Sequence, residues 1–237
     1  MKKFFVILLV SFCLIGCSSM ELEPVPSSED KAQRILDMKL SHEENLIEAK
    51  KLKNPNTVAA VSLLLENARA DKLKFEVDLL ESEKLADLVI TSGNGTSFKG
   101  AQQDLVDKTG IFDYDSDLMS FYIEGLKGSV NGSISHKLHL SIKHNSKTKR
   151  NYNSANLCDK WGRCDDNLLK INVISSTLSN CDINVCEYLE VIELDLSDEL
   201  LRKSVESGMS IRFNYKSKSN KVKVSTSYLM GYLKVAK

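Results

Sequence analysis

One segment alternates apolar and polar residues so regularly that it restricts the fold more than any other feature. The residues that would share one face are Ile134, His136, Leu138, Leu140 and Ile142. The residues between them are serine, lysine or histidine. Side chains of a β-strand point alternately to the two faces of a sheet, so the segment predicts a strand with one buried face. Such strands are typical of antiparallel sheets with one face covered.

Other strand patterns accompany this one. Asn131-Gly132 separates it from the strand-like run 121–123 and is a strong hairpin signal. Further strand-like runs are 171–174, 189–196, 211–215 and 222–224, and a short helix capped by Ser197 is predicted between them. Residues 228–235 are apolar and fit either a helical turn or a strand. These patterns predict a mainly antiparallel, β-sandwich-like domain over residues 75–237.

The preceding segment, residues 29–74, is predicted to be helical. Helix formers dominate residues 29–53, and Asn54-Pro55-Asn56 ends that helix because the residue before a proline avoids the helical region. A second helix is predicted from Thr57 to about Ala70. We expect an α+β fold, in which an N-terminal helical hairpin or arm precedes the β domain. Residues 17–28 contain two prolines and read as a tether.

The first 16 residues have the pattern of an export signal. Two lysines follow Met1, then comes an apolar stretch of about 12 residues, which is too short for a membrane span. The stretch ends in Leu14-Ile15-Gly16-Cys17, which resembles the lipobox of bacterial lipoproteins. The alternative is an ordinary secretory signal with an incidental cysteine. The coincidence of the position, the preceding glycine and the apolar run favours the lipobox.

This resemblance implies cleavage before Cys17, a diacylglycerol on its sulfur and an acyl chain such as palmitate on its new amine. More than one acyl chain gives stable anchoring, so the chain is expected to be held to a membrane by the lipid on Cys17. In Gram-negative lipoproteins the next residue affects sorting, and Ser18 implies the outer membrane, facing the periplasm. Removal of 16 of the 237 residues leaves 221, enough for a large domain with a helical arm.

Charge is balanced overall but is distributed in segments. The chain has 32 Lys and Arg and 32 Asp and Glu, which suggests no nucleic-acid partner. Residues 125–158 contain six bases and no acid, and residues 207–237 contain seven bases and no acid. If these basic segments are neighbouring strands, they form a positive face for an anionic partner such as a glycan or lipid head groups. The alternative, which we favour, is that basic and acidic strands pair across a sheet.

Four cysteines remain after Cys13 leaves with the signal and Cys17 carries the lipid. They are Cys158, Cys164, Cys181 and Cys186. The oxidising periplasm favours disulfides. We expect Cys158 to pair with Cys164 and Cys181 with Cys186, since each pair brackets a short polar loop. The alternative is two links between those loops. The sole tryptophan, Trp161, lies in the first loop and is expected to pack on the disulfide rather than stack on a sugar.

One acidic segment resembles the calcium loop of EF-hands. Asp113, Asp115 and Asp117 alternate, and Glu124 follows at the twelfth position. Leu118 replaces the glycine of the sharp turn, and Ser120 occupies a position that is usually apolar. These departures favour an acidic solvated turn over a calcium site, and no cofactor is expected.

Motifs of hydrolytic enzymes are missing from the sequence: it contains neither a Gly-x-Ser-x-Gly nor a His-Glu-x-x-His pattern. Ser146 has a lysine three positions later, a spacing found in penicillin-recognising enzymes, but the other motifs of that class are missing. His136 and His139 would point to opposite faces of one strand and could not share a metal.

We therefore expect a non-enzymatic envelope protein that binds a protein or an anionic glycan, or serves a structural role. The alternative is a cell-wall- or carbohydrate-acting hydrolase with an unrecognised site.

Overall fold

The computed structural model describes residues 26–105, 117–129, 132–159, 162–183, 185–216 and 218–237. The predicted signal, Cys17 and nearly all of the predicted tether lie outside these residues. Contacts divide the chain into two compact units, residues 1–70 and 71–237. The elements follow one another as α1 Ser28–Asp37, α2 His42–Lys50, α3 Pro55–Asp87, β1 Ile90–Thr91, β2 Ser97–Lys99, β3 Gln103–Asp104, β4 Leu118–Lys127, β5 Ile134–Ser146, β6 Ser154–Cys158, β7 Ile171–Asp182, β8 Val185–Leu196, α4 Asp198–Lys203, β9 Met209–Tyr215, β10 Lys218–Val224 and α5 Thr226–Val235.

The first unit contains a helix break that the sequence pattern did not predict. Where one helix was expected over 29–53, α1 ends at Asp37 and α2 begins at His42. Ser41 accepts a hydrogen bond from the Glu44 backbone N–H, and the Glu44 carboxylate accepts one from the Ser41 N–H. This capping box satisfies N–H groups at the start of a helix, so it begins a new helix at this point. The unit therefore packs three helical segments, whose buried apolar residues are Ala32, Ile35, Ala49, Val61 and Leu65.

The helix α3 is longer than predicted at both ends. Pro55 is its first residue, where the missing N–H of proline is harmless, and the Asn54 side chain accepts a hydrogen bond from the Asn56 N–H. It continues to Asp87, beyond the boundary expected at residue 74. Its last turns are held in place by packing: a Cβ on Gly231 of α5 would lie 2.6 Å from the Ser82 carbonyl oxygen. Glycine at position 231 therefore permits the close approach of α5 to α3.

Two antiparallel sheets form the second unit. The seven-stranded sheet has the order β1-β2-β4-β5-β8-β7, with β3 also paired to β4, and the three-stranded sheet has the order β10-β9-β6. The predicted hairpins β4–β5 and β9–β10 are present. The α+β class and the mainly antiparallel pairing are confirmed. Neither sheet is closed, and the β-sandwich arrangement stays a prediction.

The core of this unit includes residues of both sheets and of α5, so the apolar segment 228–235 is a buried helix. Tyr228, Leu229 and Tyr232 are each at most 2% exposed. Tyr228 has a specific place: its hydroxyl accepts a hydrogen bond from the Ile123 N–H at 2.9 Å. One edge of β4 pairs with β3 at residues 120–121 and with β2 at residues 124–126, and Ile123 lies in the gap between these two stretches. The Tyr228 hydroxyl therefore satisfies the Ile123 N–H, which neither of these strands reaches.

Candidate functional site

The four predicted cysteines form the two disulfides that the sequence favoured, Cys158–Cys164 and Cys181–Cys186. The first closes a loop after β6. The second joins β7 to β8 beside their turn, where Cys181 and Cys186 are cross-strand partners. Trp161 lies outside the described residues.

The described members of the calcium candidate are not brought together. Asp117 forms an ion pair with Arg150, whereas Glu124 Oε2 lies 3.1 Å from His139 Nε2. Seven residue steps separate Asp117 from Glu124, which corresponds to about 23 Å along an extended strand. Asp113 and Asp115 lie outside the described residues. Within the part of the chain that the structure describes, no group of three or more His, Cys, Asp or Glu side chains could hold a metal ion.

His136 lies on the buried face of β5, and His139 lies on the opposite face. The His136 ring lies between the Tyr232 hydroxyl, 2.9 Å from Nδ1, and Asp198 Oδ1, 3.2 Å from Nε2. Burial lowers the pKa of His136, although the hydrogen bond to Asp198 opposes this shift. In the neutral ring Nε2 donates to the carboxylate and Nδ1 accepts from the tyrosine hydroxyl. The arrangement joins β5 to α4 and α5.

A second buried histidine on the same face, His144, lies beside a serine and a glutamate. His144 Nε2 is 3.1 Å from Glu190 Oε2, and His144 Nδ1 is 3.3 Å from Ser146 Oγ. Their order resembles that of a hydrolytic triad. However, the Ser146 hydroxyl donates its hydrogen to the Thr148 carbonyl oxygen. A nucleophilic serine instead gives its proton to the histidine. This cluster therefore joins β5 to β8 rather than activating a hydroxyl.

The outer face of the seven-stranded sheet, which carries Lys137 and Lys143, pairs its charges. Lys137 Nζ lies 2.8 Å from Glu193 Oε2, and Lys143 Nζ lies 2.8 Å from Glu187 Oε2. The contact with Glu193 raises the pKa of Lys137, and the contact with Lys143 is the main reason why the pKa of Glu187 is lowered. On this face the basic strand β5 is therefore neutralised by the acidic strand β8, as the favoured alternative predicts.

The outer face of the three-stranded sheet is different. Asn156 of β6, Arg212 of β9 and Lys221 of β10 form one cross-strand row. The next row consists of Cys158, Ser210 and Lys223. None of these three strands contains an acidic residue. Cationic side chains are therefore direct neighbours on this face, and the acid-free segment 207–237 supplies all three of them.

A cavity of about 590 Å³ opens at one end of this face. Its lining includes the row of Cys158, Ser210 and Lys223, and also Lys221 of the neighbouring row. Ser210 Oγ is buried and has no hydrogen-bond partner among the described residues. The remaining lining residues come from α3, from the position after β6, from the start of β9 and the two residues before it, from the end of β10 and from the start of α5: Lys74, Asp78, Asp159, Ser207, Gly208, Met209, Val224, Ser225 and Thr226. We call this cavity the basic pocket.

The backbone at Gly208 shapes the pocket wall. Its φ of +73° is a left-handed conformation that L side chains rarely adopt, and a Cβ there would lie 2.8 Å from the Val224 carbonyl oxygen. Glycine thus allows the chain to turn into β9 directly beside β10. The carboxylates of the pocket have cationic partners. Asp78 Oδ2 lies 3.3 Å from Lys74 Nζ, and Asp159 Oδ2 lies 2.8 Å from Arg163 Nε. The five charged lining residues carry a net charge of +1.

Sequence reasoning did not identify this pocket. The signal that pointed toward it was the acid-free run from Ser207 to Lys237. Lys74 and Asp78 were missed because the helix was expected to end near residue 74, and Ser210 was missed because serine in a strand is common. The meeting of β6, β10 and α3 depends on pairing between distant segments, which no local pattern contains.

Comparisons with protein-family models, with curated proteins and with solved structures returned no match. Among the described residues, no helix has both the length and the apolar character needed to cross a membrane.

Proposed function

We propose that this chain is a lipid-anchored protein of the bacterial envelope, held at the outer membrane through Cys17, which binds an anionic glycan in the basic pocket without cleaving it. The observation that carries the binding proposal is the clustering of Lys74, Lys221 and Lys223 around one cavity. The anchor rests on the signal and the lipobox in the sequence. We further propose that the two sheets form a β-sandwich-like scaffold that supports the pocket.

The chemistry of the pocket suits an acidic sugar better than a neutral or purely apolar ligand. Ammonium groups bind carboxylate or phosphate groups. Ser210 and Thr226 hydroxyls and the Asp78 and Asp159 carboxylates are suited to sugar hydroxyls. A volume of about 590 Å³ falls in the usual range of ligand pockets, about 300 to 1,000 Å³, and accommodates a short saccharide.

Calorimetric titration of the mature chain tests the binding. We expect oligogalacturonate to bind, neutral maltooligosaccharide of the same length not to bind, and the affinity to fall as salt screens the ammonium groups. Replacement of both pocket lysines, Lys221→Gln with Lys223→Gln, should raise Kd at least about tenfold, which corresponds to about 1.4 kcal/mol. Trp161 fluorescence offers a second readout, because it is the sole tryptophan and follows the pocket residue Asp159 by two positions.

A matched variant removes the same number of charges elsewhere. Lys137 and Lys143 lie on the outer face of the seven-stranded sheet. The double variant Lys137→Gln with Lys143→Gln should change Kd by less than about twofold. Equal loss in both variants would refute a localised site. Binding of anionic lipid vesicles, but not of the saccharide, would refute the glycan proposal. Shortened saccharides in the mass spectrum after incubation would support the hydrolase alternative.

The anchor has a separate test. Mass spectrometry of the mature protein should find a chain that starts at Cys17 and carries the mass of the diacylglycerol and an amide-linked acyl chain. An unmodified Cys17, or a different first residue, would overturn the lipoprotein proposal without affecting the pocket.

A further inference from the structure

The middle of α3 carries an exposed apolar stripe. Leu73, Val77 and Leu80 are 52%, 63% and 67% exposed. They lie on the side of the helix opposite Ser82 and Ala86, which are buried. Exposed leucine and valine at helical spacing form a continuous surface that water solvates poorly. This stripe therefore suits a partner.

The spacing of the stripe indicates the shape of that partner. The steps from Leu73 to Val77 and from Val77 to Leu80 are four and three residues. Alternating steps of four and three place apolar side chains along the seam between two packed helices. The helix is 33 residues long, so the seam lies well within a continuous helix. A second helix therefore fits this surface.

We propose that the stripe packs against the same stripe of a second copy of this chain, with the two α3 helices antiparallel. A two-fold axis makes the surface self-complementary, since each copy supplies the same three apolar residues. The charges beside the seam decide the direction. Lys74 follows Leu73, and Glu81 follows Leu80, so both lie on the same flank, whereas Glu76 lies on the other flank.

In the antiparallel pair, Lys74 of each copy approaches Glu81 of the other, which gives two opposite-charge contacts. Near the axis Glu76 faces its own counterpart, which is one like-charge contact at an exposed rim. In a parallel pair, Glu76 of each copy faces Glu81 of the other, so both flanking contacts repel. The charge pattern therefore favours the antiparallel arrangement.

The association is expected to be weak. Three apolar residues per copy give an interface smaller than the roughly 1,200 Å² of stable complexes. Confinement of two lipid-anchored chains to one membrane raises their effective concentration, and this favours pairing. The apolar contact depends neither on the anchor nor on ligand binding in the basic pocket, although Lys74, which sets the direction of the pair, also lines that pocket.

Cross-linking of the full mature chain in membranes tests the arrangement. A cysteine at Glu76→Cys lies beside the proposed axis and should be joined efficiently by a short bis-maleimide. The matched variant Glu83→Cys lies one heptad further along the same flank, where the two copies of the residue would be about 20 Å apart along the helix axis at 1.5 Å rise per residue. It should yield little cross-linked dimer. The wild-type chain, whose four described cysteines are in disulfides, is the background control.

A charge reversal gives different results for the two directions. Glu81→Lys places two lysines opposite each other in the antiparallel pair and should lower the yield of the Glu76→Cys dimer several-fold. Adding Lys74→Glu should restore it. In a parallel pair, residue 81 would face position 76 of the other copy, which is a neutral cysteine in this background, so Glu81→Lys would leave the yield nearly unchanged. Val77→Glu should abolish the dimer with little change in the melting temperature, since residue 77 is exposed. Equal cross-linking at positions 76 and 83, no dimer, or capture of a different protein at position 76 would each overturn the proposal.

Discussion

The outer faces of the two sheets differ in which charged residues are cross-strand neighbours. On the seven-stranded sheet, the basic strand β5 lies beside the acidic strand β8, and Lys137 and Lys143 each have a glutamate 2.8 Å away. On the three-stranded sheet, Arg212 and Lys221 are direct cross-strand partners. Opposite charges across a strand pair stabilise a sheet and like charges destabilise it. The like charges of Arg212 and Lys221 therefore give this strand pair no cross-strand attraction.

The same difference continues into the interior. Beneath the seven-stranded sheet, His136 faces Asp198 and His144 faces Glu190, so buried titratable groups are also paired. Charge in this sheet thus joins strands and helices to one another. On the three-stranded sheet, Lys221 and Lys223 line a cavity. The largest effect of a substitution on stability is expected where a pair is completely buried.

Removal of one partner from the buried pair His144–Glu190 should have the largest effect on stability. Both side chains are at most 1% exposed. Glu190→Ala leaves His144 and Ser176 without their acceptor, and loss of one partner from a buried pair typically costs about 3 to 5 kcal/mol. The free energy of unfolding from urea titration measures this change.

The matched variant is Glu187→Ala on the same strand, whose side chain is 26% exposed and pairs with Lys143. It should cost much less than Glu190→Ala, because exposed pairs contribute little. Similar losses for Glu187→Ala and Glu190→Ala would show that burial does not distinguish the two pairs.

Part of this contrast could be predicted from the sequence. The alternation from Ile134 to Ile142 predicted a half-buried strand, and it placed His136 and His139 on opposite faces. The acid-free and acid-rich segments were also visible. Which segments become neighbours was not, because register depends on long-range pairing. As a result, β5 of the first basic segment is neutralised by β8, whereas β9 and β10, which both belong to the second basic segment, adjoin each other.

The helical boundaries were missed for a local reason and a distant one. The start of α2 had a local signal in Ser41 and Glu44, but helix formers on both sides concealed it. The extension of α3 to Asp87 depends on α5, which lies more than 140 positions later in the chain and buries Ser82 and Ala86. The basic pocket was missed for the same distant reason, because Lys74 reaches it only if α3 continues past residue 74.

Acid should weaken the fold through His136. Its folded pKa is lowered by burial, whereas in the unfolded chain the pKa is about 6.5. The unfolded state therefore binds the proton first as the pH falls. The contribution to stability is present above about pH 7 and is lost as the pH falls through 6.5 toward the folded pKa, with a slope of at most about 1.4 kcal/mol per pH unit for one proton. Urea unfolding between pH 8 and pH 5 measures this slope.

Two variants assign the slope to this residue. His136→Gln should be less stable at pH 8 but should show a smaller slope. Asp198→Asn should show a slope that extends to lower pH, because Asp198 opposes the lowering of the His136 pKa. Arg202, which pairs with Asp198, also lowers the pKa of His136, and it remains in both variants. An unchanged slope in His136→Gln would assign the pH dependence to other groups.

The smallest predicted effects have opposite signs on the two outer faces. Lys137→Thr removes an opposite-charge contact. Because the lysine side chain is 39% exposed, the free energy of unfolding should fall by less than about 1 kcal/mol.

Arg212→Thr removes a cation opposite Lys221 and a buried Nε that has no hydrogen-bond partner among the described residues. It should raise the free energy of unfolding by up to about 0.5 kcal/mol, since like charges across a strand pair repel and threonine favours strands. The same variant should bind oligogalacturonate more weakly, because it lowers the positive charge near the pocket. If Arg212→Thr is more stable but binds oligogalacturonate more weakly, the cationic face serves binding. If Arg212→Thr is less stable, this arginine supports the fold as Lys137 does.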